Sequence, residues 1–221
     1  YDFFVADEPP VPSWRQSQPR DLAAINTLEK AYFDSGYEIK AMLQALFTSD
    51  FFKSESVHYA KVKSPAEVVI GTLRMVGHHT SPQPGLFFVA MEPKYMGMDL
   101  LNPPTVEGWH TGAEWINSGT LIDRINFAAG LLGDTGLPGV KSIVGRLMDR
   151  SDSIPPEEFV DGCLDLTGPL TIAEETRSEL VAHVQAGGEL RHGTESEREN
   201  FSQRTGEMLQ FIATTSEFQF G

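Results

Sequence analysis

Glu107, His110 and Glu114 lie within one short stretch, residues 102–120, which reads NPPTVEGWHTGAEWINSGT. A histidine flanked by carboxylates is the side-chain set of a general base with an orienting acid, or of a site for a divalent cation. Spacings of three and four bring such groups together on a helix, and Gly108 and Gly112 argue against a helix there. A second reading gives all three groups to the loop itself, since a buried loop needs side chains to satisfy its backbone. Trp109 and Trp115 divide the same way: a stacking platform for a sugar or other ring, or anchors holding the loop on its neighbours. Gly108, Gly112 and Gly119 suit sharp turns. The chain carries no HExxH, no Gly-rich phosphate loop and no nucleophile elbow, so no motif calls for a cofactor or a metal.

The elements that must position this stretch are helices. Asp21 is the predicted N-cap of a helix with Leu22, Ile25, Leu28 and Tyr32 on one face, ended by Gly36. A second helix opens near Glu38 and runs into TSDFF, where Ser49 or Asp50 caps a turn. Ser64-Pro65-Ala66-Glu67 combines a capping box with proline at the first helical position. A helix from Leu86 is expected to break or kink at Pro93. Beyond the loop, Asn117 or Ser118 caps a helix that buries Leu121, Ile122, Ile125, Ala128, Ala129 and Leu132, with Arg124 beyond the edge of that face. Further helices follow GDTGLPG, with capping boxes predicted at Thr171/Glu174 and Thr194/Glu197. Strand-like alternation is nearly absent. The fold class is therefore all-α: an irregular multi-helix domain with a long ordered loop, followed by a small helical bundle.

One echo runs through the chain. MLQALFTSDFF (42–52) and MLQFIATTSEFQF (208–220) both end a helix and then place serine, an acid and phenylalanine. Two copies make no solenoid. They fit one packing device, a turn that folds an aromatic back under its own helix.

Composition excludes some partners. The net charge is −14, with 13 acids and 9 bases in residues 1–110 against 18 and 8 in residues 111–221. Nucleic acid is a poor partner for such a chain, as is an anionic bilayer, and no apolar run is long enough to span a membrane. Lys61 and Lys63 precede the Ser64 helix, where positive charge is unfavourable, and read either as partners of acids elsewhere or as exposed surface lysines. The single cysteine, Cys163, sits in an apolar helical pattern and reads as a small buried hydrophobe. Tyr1 opens inside an apolar cluster without a methionine, which suggests that a longer protein precedes it.

LEKAYFDSGYEIKAMLQALFTSDFF, KVKSPAEVVIGTLRMVG and NPPTVEGWHTGAEWINSGTLIDRINFA, in that order, resemble the C-terminal part of the bacterial domain-of-unknown-function 1800 family, over roughly residues 1–129. The later residues resemble a C-terminal extension of some members. The resemblance implies residues 1–132 as the C-terminal part of the main helical domain; the three glycines and proline of GDTGLPG make 133–139 the linker to a C-terminal helical subdomain, 140–221. It implies an exported bacterial protein, in the periplasm, at the cell surface or secreted. Its partner would be a protein of the domain-of-unknown-function 1501 type or the chain's own N-terminal half. No catalytic residue carries over from the family.

Two functions stay open: a structural or interaction module that assembles with a partner chain, and a hydrolase of a surface polymer with Glu107, His110, Glu114 and the two tryptophans at its site.

Overall fold

In the computed structural model the described residues are 1–9, 14–82, 84–168 and 170–220; residues 10–13, within the proline-rich connection before Asp21, lie outside them. Among these the elements run α1 (Leu22–Asp34), α2 (Ile39–Thr48), α3 (Pro65–Val76), α4 (Leu86–Tyr95), α5 (Ser118–Leu132), α6 (Pro138–Met148), β1 (Ser153–Ile154), α7 (Pro156–Thr167), α8 (Glu174–Ala186), β2 (Leu190–Arg191), α9 (Glu195–Thr214) and α10 (Ser216–Gln219). The fold class is all-α, and β1 and β2 form only a two-residue antiparallel ribbon.

The chain divides into two compact units. The first comprises Tyr1–Val62 and His110–Glu114, together with Phe220. Asp21 caps α1 by accepting the Ala24 amide at 2.8 Å. Gly36 and Tyr37 both take positive φ, 74° each, to turn the chain between α1 and α2. Glycine does this freely; Tyr37 is strained there and rests its ring edge-on against Tyr32 and Phe33. The core is small: Val5, Ala6, Leu28 and Leu46, with Met42, Phe51 and Phe52 packed at its margin. Asp7 ties the chain start to the unit's later backbone, accepting the Val62 amide at 2.7 Å and the Lys61 ammonium at 3.3 Å.

The second unit comprises Lys63–Trp109 and Trp115–Gln219. At its centre is α9, packed against α5, α6, α7, α8 and α10. Its buried stripe, Phe201, Thr205, Met208, Leu209, Ile212 and Ala213, follows the helical period and meets Phe159 from α7, Leu147 from α6 and Leu132 from α5. Cys163 is buried among these residues, and burial pushes its thiol pKa up, against a small opposing effect of Arg150. The 133–139 segment lies inside this unit, with Leu137 buried. A Cβ on Gly139 would stand 1.9 Å from the Met75 carbonyl, so α6 can meet the end of α3 only with glycine there.

Local signals decide several helix ends. Ser64 and Glu67 exchange both bonds of the capping box, and Gly77 closes α3 in the left-handed region at φ 64°. Thr194 and Glu197 do the same for α9. One expectation narrows and one fails. Helix α4 does not break at Pro93 but continues through it to Tyr95, with Pro93 as its buried residue. Helix α8 starts at Glu174 without the Thr171 box: the Ala173 amide donates instead to the Glu217 carboxylate from α10, at 3.0 Å, and Thr176 donates to the same oxygen. A distant acid has displaced the local cap.

Candidate functional site

The loop after α4 is built from short, self-satisfying turns. Thr105 and Gly108 form a bridge, with the Gly108 amide donating to the Thr105 carbonyl at 3.2 Å and Gly108 at φ 108°. Glu107 sits at the exposed tip, its own amide donating to the Thr105 hydroxyl at 3.2 Å. Trp109 is half-buried and donates its indole N–H to the Asp99 carbonyl at 3.0 Å. Trp115 is buried, and the Thr120 hydroxyl donates to its carbonyl at 2.8 Å just before Asn117 caps α5. One ring is thus buried and the other is tied to backbone within the second unit.

His110 and Glu114 belong to the first unit. A 3₁₀ turn over Gly112–Trp115 curls the chain so that His110 Nδ1 and Glu114 Oε2 come within 3.4 Å. Gly112 permits this with φ 56°, where a Cβ would press on the Asp7 carboxyl at 3.0 Å. The glycine that argued against a helix therefore supplies the turn that brings the pair together. The structure pairs two of the three candidate groups; Glu107, on its tip in the second unit, forms no part of that pair. Both side chains of the pair are more than half exposed, 55% and 60%, so water screens their attraction.

Glu114 also borders a cavity of about 250 Å³ in the first unit, with Asp7, Glu8, Arg20 and Thr111 among its walls. Its acids are already engaged. Asp7 holds Lys61 and the Val62 amide, and Glu8 accepts the Arg20 amide at 2.8 Å. Among the described residues, no group of three or more histidine, cysteine, aspartate or glutamate side chains is arranged to hold a metal ion. The pair could relay a proton at an open surface.

The chain matches the family described as "Protein of unknown function (DUF1800)" over residues 1–220. It belongs to that family. The match runs on past residue 129 and takes in the C-terminal helices as well. No curated protein and no solved structure matches the chain.

In this DUF1800 chain the least expected polar group is Arg124, which is fully buried in the second unit. Its Nε donates to the Gln219 side-chain oxygen at 3.1 Å and one terminal nitrogen to the Lys63 carbonyl at 2.5 Å; the other terminal nitrogen has no partner among the described residues. Burial lowers its pKa to about 10, offset in part by Glu67. Lys63 is partly buried too, not an exposed lysine: its ammonium donates to the Phe218 carbonyl at 2.7 Å and lies 5.0 Å from the Phe218 ring centre. Burial, the largest influence, likewise lowers the Lys63 pKa. Together Lys63 and Arg124 clamp α10 onto the entrance of α3. The signal was available in the sequence, since Arg124, Ala128 and Leu132 are spaced by four and share one helix face. What hid it was the ordinary expectation that a guanidinium leaves an apolar stripe for water.

Helix α4 is the other departure. Its first six residues, LFFVAM, are all apolar and lead into Glu92, Pro93, Lys94 and Tyr95, yet Pro93 is the only buried residue of the helix, and Phe87 and Phe88 are each 72% exposed. Among the described residues no helix is long and apolar enough to cross a membrane.

Proposed function

We propose that this chain is a helical structural and interaction module that assembles with a partner polypeptide through the outward faces of α3, α4 and α5. The observation that carries this reading is α4: the uncharged apolar run over its first six residues, 86–91, would ordinarily be covered, and here Phe87 and Phe88 lie open. Following the family resemblance, the proposal sets the chain in an exported bacterial protein. There the partner is either that protein's own N-terminal half or a separate chain of the domain-of-unknown-function 1501 type. The test is native mass spectrometry with hydrogen exchange on the longer protein in native extracts. Assembly should slow exchange along α4, and Phe87→Ser with Phe88→Ser should abolish that protection. Helix α4 exchanging freely in every preparation would sink the proposal.

One observation keeps the hydrolase reading in view: the His110–Glu114 pair beside the 250 Å³ cavity. A panel of cell-surface polysaccharides and peptides should show turnover that His110→Gln removes. Turnover unaffected by that change, or no turnover at all, ends the reading.

A further inference from the structure

We infer that the α3–α4–α5 face receives a polypeptide surface that is apolar at its centre and basic at its border. The inference rests on the interaction reading above and names the chemistry of the partner. Ile70 on α3, Phe87, Phe88 and Tyr95 on α4, and Ile122 on α5 are all exposed. The three helices pack on one another, so these side chains belong to one continuous part of the second unit. Residues 68–91 contain a single formal charge, Arg74, in a chain that is 22% charged. Aromatic enrichment with charge depletion is the composition of the centre of a protein–protein interface.

The border determines what fits. The charged residues on the three helices are Glu67, Glu92 and Asp123 against Arg74 and Lys94, besides the buried Arg124. Lys94 is already paired with Asp99 at 3.0 Å. What remains is acidic, on a chain of net charge −14. A second copy would set this acidic border against itself, and like charges brought together at an interface oppose association. Nucleic acid and anionic lipid meet the same repulsion. A basic-bordered apolar surface covers the phenylalanines and neutralises the border at once.

The test uses the whole 221-residue chain. Its probes are two synthetic amphipathic helices that share a leucine face, one with lysine and one with glutamate on the polar face. Vesicles of phosphatidylcholine, with and without phosphatidylserine, and sedimentation equilibrium of the chain alone complete the set. The lysine helix should bind at least about tenfold more tightly than the glutamate helix, and added salt should erode that preference. Phe87→Ser with Phe88→Ser should lose the binding; both residues are exposed, so the fold tolerates the change. Glu92→Gln with Asp123→Asn should cut the preference while leaving leucine-face binding. Equal binding of both helices, abolished by the phenylalanine changes, overturns the basic partner and leaves the interaction module standing. Lysine-helix binding indifferent to those changes is general attraction to an acidic chain and overturns the inference. Self-association or vesicle binding lost with the phenylalanines assigns the face to a second copy or to lipid and overturns it too. No binding by any probe, with no self-association, counts against both the partner and the module.

Discussion

The two MLQ helix ends are the same device placed in different surroundings. At the end of α2, the Ser49 hydroxyl donates to the Leu46 carbonyl at 2.6 Å and accepts the Phe52 amide at 3.2 Å. At the end of α9, Thr215 repeats both bonds, to the Ile212 carbonyl at 2.8 Å and from the Phe218 amide at 3.3 Å. The two capping residues also share their backbone, φ/ψ −72°/155° and −69°/151°. Beyond the turn the likeness ends. Among the described residues, Leu46 joins a core of four buried residues, with Phe52 only partly covered. Ile212 and Phe218 join a core of twenty-three on the same basis, and the residue after Phe218, Gln219, is taken by buried Arg124. A local sequence can write the turn, but the depth at which it is buried depends on which helices arrive from elsewhere.

The largest test of this contrast is truncation on each side. Ile212→Ala should cost about 4 kcal/mol, because the dense bundle cannot collapse around the gap, and should lower the urea midpoint of the second unit as a whole. Leu46→Ala should cost nearer 2 kcal/mol and speed amide exchange mainly within α1 and α2, where few neighbours share the loss. Equal effects would mean that the two cores are equally rigid.

Next comes the clamp that only the α9 end possesses. Arg124→Ala strands the Lys63 carbonyl and the Gln219 side chain in the interior, and should cost about 2–3 kcal/mol in urea denaturation. Arg124→Met, which fills the volume without a charge to desolvate, should recover more than half of that. The turns themselves should respond alike: Ser49→Ala and Thr215→Val each remove the oxygen that receives a phenylalanine amide, at about 1 kcal/mol apiece. A clear difference between them would show that the surroundings reach even into the cap.

Glu217 separates the two ends by pH. Burial raises its carboxyl pKa, but the hydrogen bonds it receives from the Ala173 amide, its own amide, Ser216 and Thr176 outweigh this and hold it below the ordinary value. A depressed carboxylate contributes stability above its unfolded pKa and loses it as pH falls through the folded value. Tm should therefore drop from about pH 5 to about pH 3, and Glu217→Gln should flatten that slope. The smallest effect belongs to the exposed loop pair: Glu114→Gln should change stability by no more than about 0.5 kcal/mol in the same assay.

The sequence by itself determined what is decided within one helical turn. The caps at Asp21, Ser64, Asn117 and Thr194 form as their side chains dictate, because each bond joins atoms three residues apart at most. It determined the all-α class through the 3.6-residue period, and it identified the tryptophan-bearing loop by its lack of any period. The Thr171 box lost to Glu217, a residue 44 positions from the amide it captures, which no local pattern could announce. Arg124 entered the core because Lys63 and Gln219 meet it from distant parts of the chain. His110 and Glu114 met through a glycine turn, and Glu107 stayed outside their pair. Tertiary structure decided the Glu217 and Arg124 contacts for one physical reason, whereas the exposed His110–Glu114 pair is made by a turn within five residues. A polar group takes whichever partner the packing brings within about 3 Å, and distance along the chain does not enter that choice.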